Sequence, residues 1–330
     1  MIARRLLSAL ALLLVPAPAF AAVDCGGVDL LAKARAEHPE KYGAFEQAAR
    51  AVPNGEGLLW RIEAKGVAPS YLFGTMHTTE ADLVALSEPV KAALGEADTV
   101  AVEIADANGA EAQAQMLAYV TQHGVDVTGG GLAGLTPAQA ELVEKRLGDA
   151  GMPASVATML KPWFLAITLD ISSCELRKMG EGRPTIDARV EKIARDAGKP
   201  VVGLETVTEQ LDAISKISDD TARRMIRDSV AKPSSSDDIQ ATTLALYRAR
   251  RVGWYYAMKE DLFGAGVELS SYADFVDAVV DRRNQLMAER SRPLLDKGGA
   301  LIAVGALHLP GDKGLVELLR REGYAVTRVW

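Results

Sequence analysis

Two stretches of the chain, "YLFGTMH" at 71–77 and "IAVGALH" at 302–308, share one pattern: an apolar run, a glycine, two small or apolar residues, then histidine. The chain holds only four histidines, and His77 and His308 end these two stretches. Two further short apolar runs end in carboxylates, "DTVAVEIA" carrying Glu103 and "VVGLET" carrying Glu205. In open α/β sheets ligands bind beyond the carboxyl ends of the strands, so side chains far apart in sequence can converge there. Two imidazoles and two carboxylates could hold a divalent cation with positions open for water. They could equally do general acid–base work without metal. Each residue also has a plainer reading. A histidine after a strand is commonly a hydrogen-bonded structural residue, and Glu205 could cap the helix that opens at "TVTEQLDAI". His38 and His123 stand in polar contexts and read as surface residues. No His-Glu-x-x-His, Cys-x-x-Cys or strand-embedded Gly-x-Ser-x-Gly competes with this set.

The elements that must position these groups follow from local patterns. Residues 24–52 read as one or two amphipathic helices ending at Pro53-Asn54-Gly55. "LLWRIEAKGVAPSYLFGT" reads as a hairpin turning at Lys65-Gly66. A helix to about Gly95 and the strand ending at Glu103 complete a βαβ unit, whose two strands are expected to be parallel neighbours. Thr136 reads as a helix cap with Pro137 at the first helical position. The apolar stretch from Ala154 is expected to kink or break near Pro162 and to lie in the core. Helices fill most of 107–199 and 207–297, interrupted by "KPSSSDD", and another strand–helix–strand unit ends the chain. Gly74 and Gly305 stand where strand becomes loop, positions that favour positive φ or close approach of backbone to a ligand. The fold class is α/β: a central mixed sheet built from two sequence-separated βαβ-like units, with large helical insertions. A duplicated core is one possible origin of the two units.

The composition of the 330 residues is 48% hydrophobic and 25% charged, an ordinary globular balance. Arg4-Arg5, the run "LLSALALLLV" and the small residues before Ala21 and Ala22 have the order of a secretory signal. The alternative is an uncut N-terminal anchor. Cleavage would leave one domain from about residue 22 to 330 and remove two arginines. Basic residues would then fall from 37 to 35 against 44 acids, a net charge of −9. Nucleic-acid binding, which wants a basic face, is disfavoured, and no mature stretch is long and apolar enough to span a bilayer. Export to a bacterial periplasm or beyond makes a Cys25–Cys174 disulfide plausible, against two unpaired buried thiols.

The chain resembles the TraB/GumN family, which is related to the Tiki proteins. The resemblance covers roughly residues 57–330. It rests on "YLFGTMH", "VAVEI", "LKPWFLA", "IDARV" before "GKPVVGLET", "RRNQLM" and "VGALHLPGDKGLVELLRREGYAV". It implies a fold close to the erythromycin-esterase and ChaN-like group. It also implies an active site at His77, Glu103 and His308, with Glu205, Arg283, Asn284 and, more weakly, Asp187 in matching blocks. Tiki-like members are taken to be metal-dependent proteases, so manganese or cobalt is the implied cofactor, with zinc left open, and a peptide or protein is the implied substrate. On that reading Glu103 is the favoured base. Arg283 steadies a developing oxyanion or a substrate carboxylate, or else makes a helix-surface ion pair with Asp281 or another acid. Asn284 orients substrate or caps a turn. A metal-free His/Glu hydrolase and a non-catalytic periplasmic binding protein are the rival expectations.

Overall fold

A computed structural model describes residues 25–126 and 130–330. The signal-like segment before Cys25 lies outside the described residues. Six strands form one sheet: β1 (Leu59–Glu63), β2 (Ser70–Thr75), β3 (Thr99–Val102), β4 (Val201–Gly203), β5 (Ala300–Gly305) and β6 (Ala325–Arg328). Their order is β4-β3-β5-β2-β1-β6. The four strands β4, β3, β5 and β2 run parallel, while β1 pairs antiparallel with β2 and with β6. The expected hairpin at Lys65-Gly66 is therefore present. The expectation that β2 and β3 are neighbours is corrected. They are parallel, but β5 lies between them, supplied by the far end of the chain.

Side-chain alternation along the strands builds two cores. Tyr71, Phe73, Val100, Val102, Leu301 and Ala303 pack on one face with the helices Glu88–Glu96 and Ile186–Asp196. Leu72, Ala101, Ile302 and Val304 pack on the other with Arg282–Lys297 and Leu315–Arg321. The result is a sheet sandwiched by helices, as expected for α/β. A third apolar cluster lies outside the sheet and joins the helices Pro162–Asp170, Asp219–Ser229 and Pro137–Asp149. The apolar stretch from Ala154 breaks at Pro162 as expected, and again after Asp170, where Ser172 caps the helix Ser173–Gly180. Thr136 caps Pro137–Asp149 in a full capping box with Gln139.

Cys25 and Cys174 form a disulfide. It fixes the start of the described chain against the insertion, where Val28 N also donates to Asp238 and Leu30 N to Thr242. The bond closes a loop of 149 residues. Reduction, or a paired Cys25→Ser/Cys174→Ser change, is expected to cost about 2–5 kcal/mol, read as a lower denaturation midpoint. Among the described residues no helix is long and apolar enough to cross a membrane.

Candidate active site at the strand ends

The register brings the carboxyl ends of the parallel strands level. Ala303 of β5 faces Phe73 of β2 on one side and Val102 of β3 on the other, and Gly305 faces Thr75. The ladder between β3 and β4 continues past the strands, with Glu205 N donating to Glu103 O at 2.8 Å. His77 and His308, two and three residues beyond their strands, line one cavity with Glu103 and Arg283. The two Gly-x-x-His stretches are thus parts of one crevice.

Gly74 and Gly305 work through close approach. Neither adopts positive φ. A Cβ on Gly74 would lie 3.0 Å from Ala306 and Leu309. One on Gly305 would lie 3.2 Å from Glu103 Oε1 and 3.4 Å from His308 Cδ2. Gly305→Ala is therefore expected to displace the Glu103 carboxylate and to cost about 1–3 kcal/mol of overpacking. Loss of activity with retained circular dichroism would check it.

Arg283 is the centre of the site. Its Nε donates to both Glu205 oxygens at 3.0 Å, and Nη2 to Glu103 at 2.6 Å and Glu205 at 2.7 Å. Nη1 donates to Val279 O at 3.0 Å and faces His308 Nε2 at 3.3 Å. A guanidinium has five N–H groups, and all five are directed at protein acceptors. Arg283 is therefore neither a surface partner of Asp281, which pairs with Lys313, nor free to meet an oxyanion. It positions the groups around it. A π turn over Asp277–Asp281, just before Arg282–Lys297, sets its direction. Such bulges recur at functional sites.

Glu205 does not cap the helix Val207–Ser215. Thr206 does, in a capping box with Glu209, which leaves both Glu205 oxygens to Arg283. Asn284 anchors His308: its Nδ2 donates to Lys313 O at 2.9 Å, so its Oδ1 faces His308 Nδ1 at 2.7 Å. That fixes the tautomer, with the proton on Nδ1 and the lone pair on Nε2. His77 Nδ1 meets Asp187 Oδ2 at 2.9 Å, and Thr75 donates to the other Asp187 oxygen. No hydrogen bond reaches His77 Nε2 among the described residues.

These surroundings sort the protons. Asp187 holds His77 protonated, up to about 9, against the opposing effect of burial. His77 is open to the cavity, yet protein surrounds it. Burial pushes His308 down to about 4, with Glu103 pulling the other way. Burial would raise Glu103, but Arg283, then His308 and His77, hold it down at about 2. Near neutral pH the site therefore carries a cationic His77, a neutral His308 and an ionised Glu103. Glu103 Oε1 accepts from Gly305 N at 2.6 Å, and Oε2 accepts from Gln210 at 3.0 Å as well as from Arg283.

A divalent cation on His77, Glu103, Glu205 and His308 would need their ligating atoms to converge. Among the described residues no trio drawn from these four brings such atoms within 4.8 Å of one another. Cys25, Glu80 and Glu175 do so, but the Cys25 sulfur is spent in the disulfide. Arg283 already pairs with both glutamates and occupies oxygens they would offer a cation. As placed, the four residues do not fit a divalent cation.

Asp187, Thr75, Gln210 and Tyr247 complete the site, Tyr247 by donating to Gly74 O at 2.7 Å. Only Asp187 had a sequence signal, in "TIDARV". His38 and His123 are exposed, as expected.

No curated protein and no solved structure matches the chain. The profile of one family does match, and it takes in all six strands, both Gly-x-x-His stretches and the Arg283 cluster. With residues 58–328 matched, the chain belongs to the TraB/PrgY/gumN family.

Proposed function

We propose that this protein is a hydrolase of amide or ester bonds whose acid–base groups are its own side chains. One observation carries the reading: the ionised Glu103, with Oε1 3.8 Å from His308 Nε2, lines the same cavity as the protonated His77. The His308 Nε2 lone pair already accepts from Arg283, so Glu103 Oε1 is the acceptor left for a water in the cavity. As that water attacks a carbonyl carbon, Glu103 takes one of its protons. His77 donates from Nε2 to the developing oxyanion or the leaving group, while Asp187 holds its ring. Arg283 keeps Glu103 ionised, and Asn284 keeps the His308 lone pair turned to Arg283.

A second reading is a divalent-metal peptidase using manganese or cobalt. It is favoured by the anchoring of both imidazoles through Nδ1, the way metal-ligating histidines are commonly oriented by a carboxylate or amide on their other nitrogen. It requires Arg283 to release Glu103. The disulfide supports export to an oxidising compartment such as a bacterial periplasm.

The test is hydrolysis of peptide and ester libraries by wild type, His77→Ala, Glu103→Gln and His308→Ala, with chelator and with added manganese or cobalt. The proposal expects chelator-insensitive turnover, lost in each variant. Activity abolished by chelator and restored by metal selects the metal reading. Activity surviving all three substitutions removes the site, and ligand retention without product makes the protein a binder.

A further inference from the structure

The cavity beside the acid–base groups has a volume of about 500 Å3, ample for a substrate segment well beyond the cleaved bond. The helix Ser235–Arg248 gives it a direction. Near its C-terminal end Tyr247 donates to Gly74 O, at the strand ends. Near its N-terminal end Ser236 Oγ donates to Leu169 O at 3.1 Å, beside Asp170. Ser236 and Tyr247 are eleven residues apart on that helix, which is about 16 Å along the axis. The cavity therefore extends from the reaction groups toward Asp170, past the apolar side chains of Ile167, Ile239 and Leu246.

Asp170 opens onto this cavity and makes no hydrogen bond or ion pair among the described residues. The cation nearest to hand, Arg146, is spent on the main chain. It donates to Leu169 O at 2.6 Å, Ile171 O at 3.3 Å and Ser229 O at 3.1 Å. Asp170 is exposed by its accessible surface, yet the protein around it pushes its carboxyl upward, with Arg146 as counterweight. A carboxylate open to an apolar-walled cavity and paired with no cation is available to one that a ligand brings. Gln240, between Ser236 and Tyr247 on the same wall, has a buried Nε2 with no acceptor. An unpaired anion thus opens onto the cavity, whose wall also includes Gln240.

We propose that the Asp170 end is a specificity pocket for a cationic group. The substrate is then a peptide-like chain whose ammonium or guanidinium pairs with Asp170. Its apolar residues cross the middle, and its cleavable bond lies at His77 and His308. This rests on the hydrolase reading above. A span of about 16 Å corresponds to about four to five extended residues.

The test is calorimetric binding to the full chain of two peptides, acetyl-Ala-Leu-Ala-Leu-Lys-amide and the same peptide ending in norleucine amide, with mass spectrometry for cleavage. Wild type is expected to bind the lysine peptide about tenfold more tightly. Asp170→Asn, nearly isosteric, is expected to bind both alike. Equal affinities in wild type, no binding of either peptide, or a preference that persists in Asp170→Asn overturns the proposal. Lysine preference without cleavage keeps the pocket and removes the hydrolase reading instead.

Discussion

Replacing Arg283 by methionine is expected to destabilise the fold by roughly 3–5 kcal/mol, the scale for removing one partner of a buried ion pair. The Glu205 side chain is 1% exposed and the Glu103 side chain 11%. Without Arg283, two buried carboxylates stand side by side, brought together by the backbone bond from Glu205 N to Glu103 O. They cannot both stay ionised at little cost, so one is driven to bind a proton. The pH dependence then changes sign. In wild type Glu103 is depressed to about 2. Its contribution is present above its unfolded value of 4.5 and is lost as pH falls through about 2. In Arg283→Met a raised carboxyl is stabilised by acid instead, so the stability gap should narrow between pH 7 and pH 4. Adding Glu205→Gln should recover part of the loss, because the repelling charge is gone. Guanidinium denaturation of the three proteins at both pH values measures this. A gap that stays constant with pH would show that Arg283 acts through packing alone.

The strand ends were legible because each is a short apolar run closed by a turn signal, and alternation on such runs is a local property. What lay between them was not. Nothing in "YLFGT" or "TVAVE" says that β5, almost two hundred residues past β3, inserts between them. The strand–helix–strand arrangement predicts handedness and parallelism, not adjacency. Arg283 was ambiguous for a related reason. A helical arginine next to Asp281 is ordinarily a surface ion pair, and only the π turn over Asp277–Asp281 and the two glutamates show it facing inward. Gly74 and Gly305 marked the right places, but sequence does not separate positive φ from close packing. Asp170 and Gln240 look like the polar face of ordinary helices. Their lack of partners is a property of the assembled cavity.

The second large effect is on activity. For a hydrolase acting through His77 and His308, kcat/KM should be bell-shaped, falling below about pH 4 and above about pH 9. On the acid side His308 takes a proton at Nε2, ceases to accept from Arg283 and puts a second cation beside Glu103, which weakens it as a base. On the alkaline side His77 loses the proton it donates. His77→Ala should lower kcat by about 10²–10⁴. The decisive variant is Asp187→Asn. Asp187 is the largest influence raising His77, while burial opposes it. Its neutralisation should bring the alkaline limb down toward or below 6.5 and leave the acid limb in place. Stability shifts in the same direction. A His77 raised in the fold stabilises it fully below 6.5 and loses that contribution as pH rises through about 9. His308, depressed in the fold, costs stability as pH falls from 6.5 through about 4. Acid loss of activity and acid loss of stability therefore share a cause at His308, and the two separate in time. Activity regained at once on returning to pH 7 reports protonation, whereas slow recovery reports refolding. An alkaline limb that does not move in Asp187→Asn would assign that proton to another group and leave His77 without its role as the acid.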